Sequence, residues 1–236
     1  MTKTAIVIDG GFYRRRAQIL FGDKTAQDRA NELIDYCRKH LNSDSTEKRD
    51  LYRIFYYDCP PMEKKLYHPL LKTQIDYSKT SLYIWMTEFL NCLKKKRKVA
   101  LRLGVLADEQ AHYTIRYETI KKLCSGAKSL SDLNESDFEL LVDQKGVDMK
   151  IGLDIASMAF KKQVTQIILI SGDSDFVPAA KLARREGIDF ILDPLWNPIK
   201  SNLMEHIDGL KSCCQNPNSS GRQLATPPVS TTQSVS

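Results

Sequence analysis

The sequence predicts an α/β domain built around a mostly parallel β-sheet. Residues 167–170 are four consecutive aliphatic residues without polar alternation, a pattern typical of a parallel strand buried on both faces. Residues 4–8 form a second short aliphatic run, and a predicted helix follows each of these two runs. The length of 236 residues fits one large α/β domain or a domain with an insertion.

The N-terminal part of the chain is predicted to contain two strands and two helices. In chain order these are a strand at 4–8, helices at 12–20 and 27–41, and a strand at 51–57. Gly10 and Gly11 supply a tight turn after the first strand. The second helix carries its apolar residues on one stripe. The second strand is β-branched and aromatic, and Pro60 and Pro61 break the chain after it.

The composition changes between residues 60 and 98, and we interpret this segment as a helical insertion. It is rich in aromatic residues and lysine and contains one amphipathic helix. We expect the apolar stripe of that helix to pack onto the main domain and not to hold a cofactor; its members are Leu82, Trp85, Met86, Phe89 and Leu93. The helix ends in five cations, Lys94, Lys95, Lys96, Arg97 and Lys98. Such a run is favoured at a solvated helix end by the helix dipole, and it also suits contact with phosphates.

The C-terminal part is predicted to continue the alternation of strands and helices. In chain order these are a strand at 99–106, helices at 119–123 and 148–161, a strand at 167–170, a helix at 177–185, a strand at 188–192 and a helix at 199–210. Pro178 fits the first turn of its helix. Residues 211–236 are mostly Ser, Thr, Pro, Gln and Asn, so we expect a disordered tail after a single domain at 1–210.

Composition and charge narrow the class of protein. The net charge of +6 is compatible with a polyanionic partner and equally with a solvated basic surface. The six cysteines form no C-x-x-C pair, which argues against a zinc site and against a secreted disulfide framework. We therefore expect free thiols and a cytoplasmic protein. No apolar run is long enough to cross a membrane.

Four carboxylates are predicted to lie near the same edge of the sheet. Asp9 ends the first strand, Asp173 and Asp175 follow the buried strand at 167–170, and Asp148 opens the preceding helix. Right-handed crossovers bring the carboxyl ends of parallel strands to one edge, where open α/β sheets bind ligands. Crowded carboxylates repel one another, and a hard cation such as Mg²⁺ or Mn²⁺ relieves that repulsion.

Asp173 and Asp175 also have a structural interpretation as helix caps, and Asp148 as an acid favoured at a helix N-terminus. As a cluster they suit metal ions that clamp a phosphodiester, lower the pKa of a bound water and stabilise the leaving oxygen. No Ser-His-Asp order, Cys-His pair or glycine-rich phosphate loop competes for a catalytic role. The histidines occur singly, and we expect surface or structural roles for His40, His68, His112 and His206.

Three blocks of the sequence resemble the NYN-domain family, a branch of the PIN-like, LabA-like metal-dependent ribonucleases. The blocks are Ile-Asp-Gly-Gly-Phe at 8–12, Lys-Gly-Val-Asp-Met-Lys-Ile-Gly-Leu-Asp at 145–154, and Ser-Gly-Asp-Ser-Asp-Phe-Val-Pro at 171–178. Their order and spacing agree with the family. The resemblance covers roughly residues 3–210, and the three ordered blocks are specific only when taken together.

The resemblance implies a three-layer α/β/α sandwich of the PIN-like or Rossmann-like kind and a Mg²⁺ or Mn²⁺ site. Asp9, Asp148 and Asp173 match the metal-binding acidic positions of the family, and Asp175 matches a further catalytic one. Asp154 matches a recurrent position, but it lies six residues into its helix, so we expect it to support the site or the fold. Many members carry Asn shortly after the first Asp, where this chain has Gly10-Gly-Phe-Tyr13.

The function implied by the resemblance is hydrolysis of RNA phosphodiester bonds by an endoribonuclease. The residues expected to contact RNA are Arg14, Arg15, Arg16, Lys94, Lys95, Lys96, Arg97 and Lys98. The alternative is a catalytically silent member that acts as an RNA- or protein-binding scaffold. A haloacid-dehalogenase-type phosphatase fits worse because it needs a second Asp at Gly11, and a Toprim-type nuclease fits worse because it needs Glu in the first strand. The choice between RNA and DNA, the RNA target and homo-oligomer formation stay open.

Overall fold

The computed structural model of the chain describes residues 2–42 and 49–217. The strands in these ranges are β1 (Thr2–Asp9), β2 (Arg49–Asp58), β3 (Lys65–His68), β4 (Thr73–Asp76), β5 (Val99–Leu103), β6 (Val105–Leu106), β7 (His112–Ile115), β8 (Phe138–Leu141), β9 (Gln144–Lys145), β10 (Gln166–Ile170), β11 (Asp189–Asp193) and β12 (Gly209–Leu210). The α-helices are α1 (Gly10–Phe21), α2 (Ala26–Asn42), α3 (Ser81–Lys94), α4 (Tyr117–Cys124), α5 (Val147–Phe160), α6 (Val177–Arg185) and α7 (Ser201–Met204).

Six strands form one parallel sheet in the order β12-β11-β10-β1-β2-β5. The strand order reverses between β1 and β10, and in doubly wound α/β folds the crevice at this reversal binds ligands. The two strands are neighbours, with Ile8 paired to Ile170, so their carboxyl ends lie side by side. The predicted parallel sheet is therefore confirmed.

Helices cover both faces of this sheet. Because side chains alternate along a strand, Val7 points to one face, and Ile6 and Ile8 point to the other. The face of Ile6 and Ile8 packs against α1, α2 and α3. The face of Val7 packs against α5 and α6, including the fully buried Ile151. These layers confirm the three-layer α/β/α sandwich.

The helix of the predicted insertion is the crossover between two neighbouring parallel strands, β2 and β5. Its residues Met86, Phe89 and Leu93 are buried in the core, as expected from their spacing. Only the antiparallel hairpin of β3 and β4, within residues 60–98, is an addition to this β–α–β unit. A second addition follows β5, where β7 and β8 form an antiparallel pair, with α4 between them in the chain, that the sequence pattern did not indicate.

The predicted terminal helix at 199–210 is wrong beyond Met204. The chain instead turns back and adds β12 to the edge of the sheet, with Gly209 paired to Ile191. Asp208 fixes this turn, because its side chain accepts hydrogen bonds from the Phe190 amide at 2.9 Å and from Arg184 Nε at 2.8 Å. A strand of two residues has too little periodicity to be recognised, and the tertiary contacts of Asp208 decide the structure.

The predicted strand at 99–106 is divided at Gly104. Val99–Leu103 joins the central sheet, whereas Val105–Leu106 pairs with β9. A Cβ atom at Gly104 would lie 2.7 Å from the Lys145 carbonyl oxygen, so only glycine permits this close approach.

The predicted tail lies partly outside the described residues, which end at residue 217. Within the described part, Ser212 Oγ donates a hydrogen bond to Asp193 Oδ1 at 2.6 Å, and the Cys213 amide donates one to Tyr36 Oη at 3.0 Å. All six cysteines are free thiols. None of the helices described is both long and apolar enough to span a bilayer.

Candidate active site

Asp9 stands at the carboxyl end of β1 and begins α1. Its Oδ1 accepts a hydrogen bond from the Phe12 amide at 3.0 Å, so Asp9 caps the helix. The following residue must be glycine, because a Cβ atom at Gly10 would lie 2.5 Å from the Tyr57 carbonyl oxygen. Within residues 2–42 and 49–217, the hydrogen-bond partner of the second carboxylate oxygen, Oδ2, is the Ser171 hydroxyl alone, at a long distance of 3.3 Å.

Asp173 follows the neighbouring strand, β10, and caps the short 3-10 helix Ser174–Phe176. Its Oδ1 accepts a hydrogen bond from the Asp175 amide at 3.0 Å, and its own amide donates to Ser171 Oγ at 3.3 Å. Ser171, which is fully buried, therefore contacts both Asp9 and Asp173. The capping interpretation is therefore correct for Asp173, and Asp9 is a cap that the sequence did not predict; each cap uses one carboxylate oxygen.

Asp148 lies in the first turn of α5, which follows the left-handed Gly146 (φ 80°). Desolvation raises the pKa of Asp148, and the negative charges of Asp173 and Asp175 raise it further. Burial likewise raises the pKa of Asp9, and the charge of Asp148 adds to this effect. The fold thus brings Asp148 close enough to Asp9, Asp173 and Asp175 for their charges to interact. Asp9 is partly buried, and the other three acids are exposed.

The donor chemistry of this acidic cluster (Asp9, Asp148, Asp173 and Asp175) fits a hard cation. All its donors are carboxylate oxygens, which Mg²⁺ and Mn²⁺ prefer. Oδ2 of Asp9 is free apart from the long contact with Ser171, and Oδ2 of Asp173 lies outside its cap. In the described ranges no three or more His, Cys, Asp or Glu side chains converge into a ready-made metal-binding group.

The carboxyl end of β2 carries a further buried acid, Asp58, which is already neutralised. Arg14 Nε and Nη2 donate hydrogen bonds to its two oxygens at 2.9 and 3.1 Å. Tyr56 Oη and the Cys59 amide donate to the same carboxylate at 3.0 and 2.8 Å. This satisfied pair explains why Asp58 is not available to a cation.

The three consecutive arginines predicted to contact RNA have different surroundings. Arg14 is held by Asp58, and Arg16 donates two hydrogen bonds to the Leu195 carbonyl oxygen at 3.2 and 2.7 Å. Among the described residues, Arg15 forms no hydrogen bond or ion pair, and its charge lowers the pKa of Asp9. Arg15 is therefore the arginine that faces the acidic cluster with its donors free.

The five cations at 94–98 lie near the amino ends of the sheet strands, at the end of the sheet opposite the acidic cluster. Lys98 Nζ donates to the carbonyl oxygen of Leu51, near the start of β2. The rise of β2 from Leu51 to Asp58 places this end of the sheet about 23 Å from the carboxyl ends of the strands. Lys96 Nζ is also engaged, with Asn31 Oδ1 at 2.6 Å. The fold does not bring this run to the acidic cluster.

Asp154 supports the structure beside the site, as the sequence suggested. It accepts hydrogen bonds from Tyr57 Oη at 2.7 Å and Arg102 Nε at 3.0 Å, which join α5 to β2 and β5. Sequence reasoning missed Asn197, which follows β11 near Gly172: a Cβ atom at Gly172 would lie 3.1 Å from Asn197 Nδ2. The sequence alone does not show that this Asn lies near the acidic cluster, because that depends on the order of the strands in the sheet.

Comparison with known proteins identifies the family of the chain. A family model described as the NYN domain matches residues 75–197, just over half of the 236 residues, and the match includes Asp148, Asp173 and Asp175. No curated protein matches the chain. Among solved structures, the crystal structure of a protein of unknown function from Vibrio parahaemolyticus is similar, with a TM-score of 0.43 and 14% sequence identity over 89% of this chain and 91% of that one.

Proposed function

Because the chain belongs to the NYN-domain family, we propose that it is a metal-dependent endoribonuclease whose Asp9, Asp148 and Asp173 hold Mg²⁺ or Mn²⁺. The observation that carries this proposal is the position of Asp9 and Asp173 at adjoining strand ends, where the strand order reverses. Burial raises the pKa of Asp9 and Asp148, and the charges of neighbouring carboxylates raise both further, so a cation is favourable at this position.

A bound cation supplies Lewis-acid activation of the phosphodiester and stabilises the leaving oxygen. The chain's own residues contribute positioning and proton transfer. We assign the orientation of the attacking water and the uptake of its proton to the carboxylates of the acidic cluster, with Asp148 as the exposed member near Asp173. Asp175 adds negative charge beside it, and the free guanidinium of Arg15 binds the phosphate that flanks the scissile bond.

Arg15 binds phosphate and reads no base, so this contact selects no RNA sequence. We propose RNA as the substrate because the chain belongs to the NYN-domain family, and we leave the RNA sequence open. The family also supports the finer proposals of hydrolase activity and RNA binding. The proposed cytoplasmic location rests on the free cysteines. The silent scaffold differs from this proposal only in lacking turnover, and one experiment separates them.

The experiment is cleavage of labelled single-stranded RNA, hairpin RNA and DNA, each with Mn²⁺ and with chelator. The proposal predicts that RNA is cut only with metal, and that Asp9→Asn, Asp148→Asn and Asp173→Asn each lower the rate by at least about a hundredfold. The matched control is Asp50→Asn, an exposed acid at the opposite end of the sheet, which keeps the parent rate. RNA binding without cleavage under every metal condition would identify a scaffold.

A further inference from the structure

A cavity of about 430 Å³ opens between α1 and the beginning of α3, on the side of α1 that carries Arg15. Its volume lies within the usual range of small-ligand sites. The residues on which the argument rests are Arg15, Lys24, Arg29, Leu82 and Trp85. Neither the family match nor the acidic cluster assigns a role to this cavity.

One wall of the cavity is an aromatic ring held in a fixed orientation. Trp85 Nε1 donates a hydrogen bond to the Lys24 carbonyl oxygen at 2.9 Å. The indole also stacks on Phe89, with ring centroids 5.1 Å apart and an angle of 13° between the planes. Leu82, one turn earlier on α3, is 63% exposed and extends the apolar wall. A fixed aromatic surface beside an apolar side chain suits a flat, heteroaromatic ligand.

The rest of the lining is polar and mostly cationic: four cations, Arg14, Arg15, Lys24 and Arg29, stand against one acid, Asp23, beside Gln18 and Ser81. Lys24 and Arg29 both pair with the single carboxylate of Glu32, at 2.6 and 2.5 Å. Two cations sharing one acid leave a positive excess at this wall. Arg15 adds a guanidinium whose donors no described residue occupies. The cavity therefore combines a stacking surface with a positive field, the pair of features with which proteins bind unpaired nucleotides.

Arg15 also connects the cavity to the acidic cluster. A Cβ atom built on Gly11 would lie 3.6 Å from Asp9 Oδ1 and 3.8 Å from Arg15 Nη1, so both atoms border the same small space. The absence of a side chain at Gly11 keeps this space open. Since Arg15 also lines the cavity, a phosphate bound by its guanidinium lies beside both the cavity and Asp9.

We propose that this cavity binds the base of an unpaired nucleotide next to the scissile phosphate, which makes single-stranded RNA the substrate of the acidic cluster. The inference rests on the proposed function for the identity of the ligand as RNA. The base stacks against Trp85 and Leu82, and Arg15 holds the adjoining phosphate. A paired base within a duplex cannot enter the cavity, so double-stranded RNA binds through its phosphates alone.

The test measures binding in chelator, so that it does not depend on cleavage. The probes are a labelled single-stranded RNA and the same strand with abasic ribonucleotides. Leu82→Glu and Trp85→Leu should weaken binding of the normal strand about tenfold and leave the abasic strand nearly unchanged. Ile84→Glu is the matched control for Leu82→Glu, because Ile84 is 59% exposed on the same helix and does not line the cavity.

Trp85 contributes to packing, so Trp85→Phe, which keeps the ring, is measured alongside and should lose less affinity than Trp85→Leu. Arg15→Gln should weaken both strands equally, and its control is Arg185→Gln, an exposed arginine on α6. Equal losses for Leu82→Glu and Ile84→Glu, or equal losses on normal and abasic strands, would overturn the proposal. If binding by the parent depends on the bases but RNA is never cleaved, the cavity proposal stands and the nuclease proposal is rejected. If RNA is cleaved but binding does not depend on the bases, the nuclease proposal stands and the cavity proposal is rejected.

Discussion

Ser171 Oγ donates a hydrogen bond of 3.3 Å to Asp9 Oδ2, across the boundary between β10 and β1. The same hydroxyl accepts a hydrogen bond from the Asp173 amide. One buried side chain therefore links the two acids that stand at the reversal of the strand order. Both hydrogen bonds are long, so they contribute little to stability. Their role is to hold Asp9 and Asp173 in position.

We predict that Ser171→Ala lowers the affinity for Mn²⁺ severalfold and costs at most about 1 kcal/mol of unfolding free energy. The hydroxyl orients Asp9 and Asp173, and its loss lets both carboxylates adopt other positions. Titration of Mn²⁺ by calorimetry and urea unfolding measure the two effects. Ser174→Ala, in the same turn, is the control; if both variants bind Mn²⁺ like the parent, Ser171 does not position the acids.

Changing Arg14 and Arg15 to Gln should have very different effects on the free energy of unfolding. Arg14→Gln leaves Asp58, which is 1% exposed, without its cation and should cost about 3–5 kcal/mol. Arg15→Gln removes no hydrogen bond or ion pair in the described chain and should leave stability nearly unchanged. Urea unfolding of both variants decides this. A stable Arg14→Gln would mean that the Asp58 pair is not structural and that Arg14 is free for RNA.

His40 predicts a pH dependence of stability. Burial alone lowers the pKa of His40, but hydrogen bonds and charges from Asp193 and Cys213 outweigh it and raise the pKa to about 9. A raised pKa means that the folded state binds the proton more tightly, so the stabilisation is complete below about pH 6.5 and is lost as the pH rises through 9. The loss should be on the order of 3 kcal/mol.

Urea unfolding between pH 6 and 10 measures this loss. His40→Gln should be less stable than the parent at pH 6 and should show a flatter profile above it. His112→Gln, an exposed histidine, should keep the parent's profile. An unchanged slope in His40→Gln would show that the pair with Asp193 does not titrate in this range.

The cations at 94–98 predict a salt effect that is separate from the active site. Neutralising Lys94, Lys95, Lys96, Arg97 and Lys98 together should weaken RNA binding and flatten the dependence of log affinity on log salt, because fewer counterions are released. Since the run lies at the opposite end of the sheet from the acidic cluster, the cleavage rate at saturating RNA should not change. A salt slope equal to the parent's would show that these residues only solvate the end of α3.

Much of the fold could be predicted because its core elements carry strong local patterns. The predicted strands at 4–8, apolar from Ala5 onward, and at 167–170 became the two central strands, and the helix at 177–185 matched its observed bounds. Short strands at the edge of the sheet were not predicted, because their local sequence pattern is weak. Strand β12 has two residues, and the long-range contacts of Asp208 determine it.

The acidic cluster was predictable in part because it sits at strand ends and helix starts, which sequence patterns locate. Asp9 and Asp173 became neighbours once β1 and β10 paired. The different roles of Arg14 and Arg15 were not predictable. Adjacent residues on a helix face about 100° apart, and only the tertiary structure shows that one of them meets Asp58. The distance of the run at 94–98 from the site likewise depends on the direction of α3.

The most direct test of the metal site is a thermal melt of the parent and Asp173→Asn, each with chelator and with Mn²⁺. Asn keeps the Oδ1 that accepts from the Asp175 amide and removes one charge from the cluster. In chelator the variant should melt at the parent's temperature or above it. Mn²⁺ at about 100 times its Kd should stabilise the parent by about 2.7 kcal/mol, or roughly 5–10 °C, and the variant much less. Strong destabilisation of Asp173→Asn in chelator, together with equal Mn²⁺ shifts in both proteins, would show that Asp173 is only a cap and contradict the metal site.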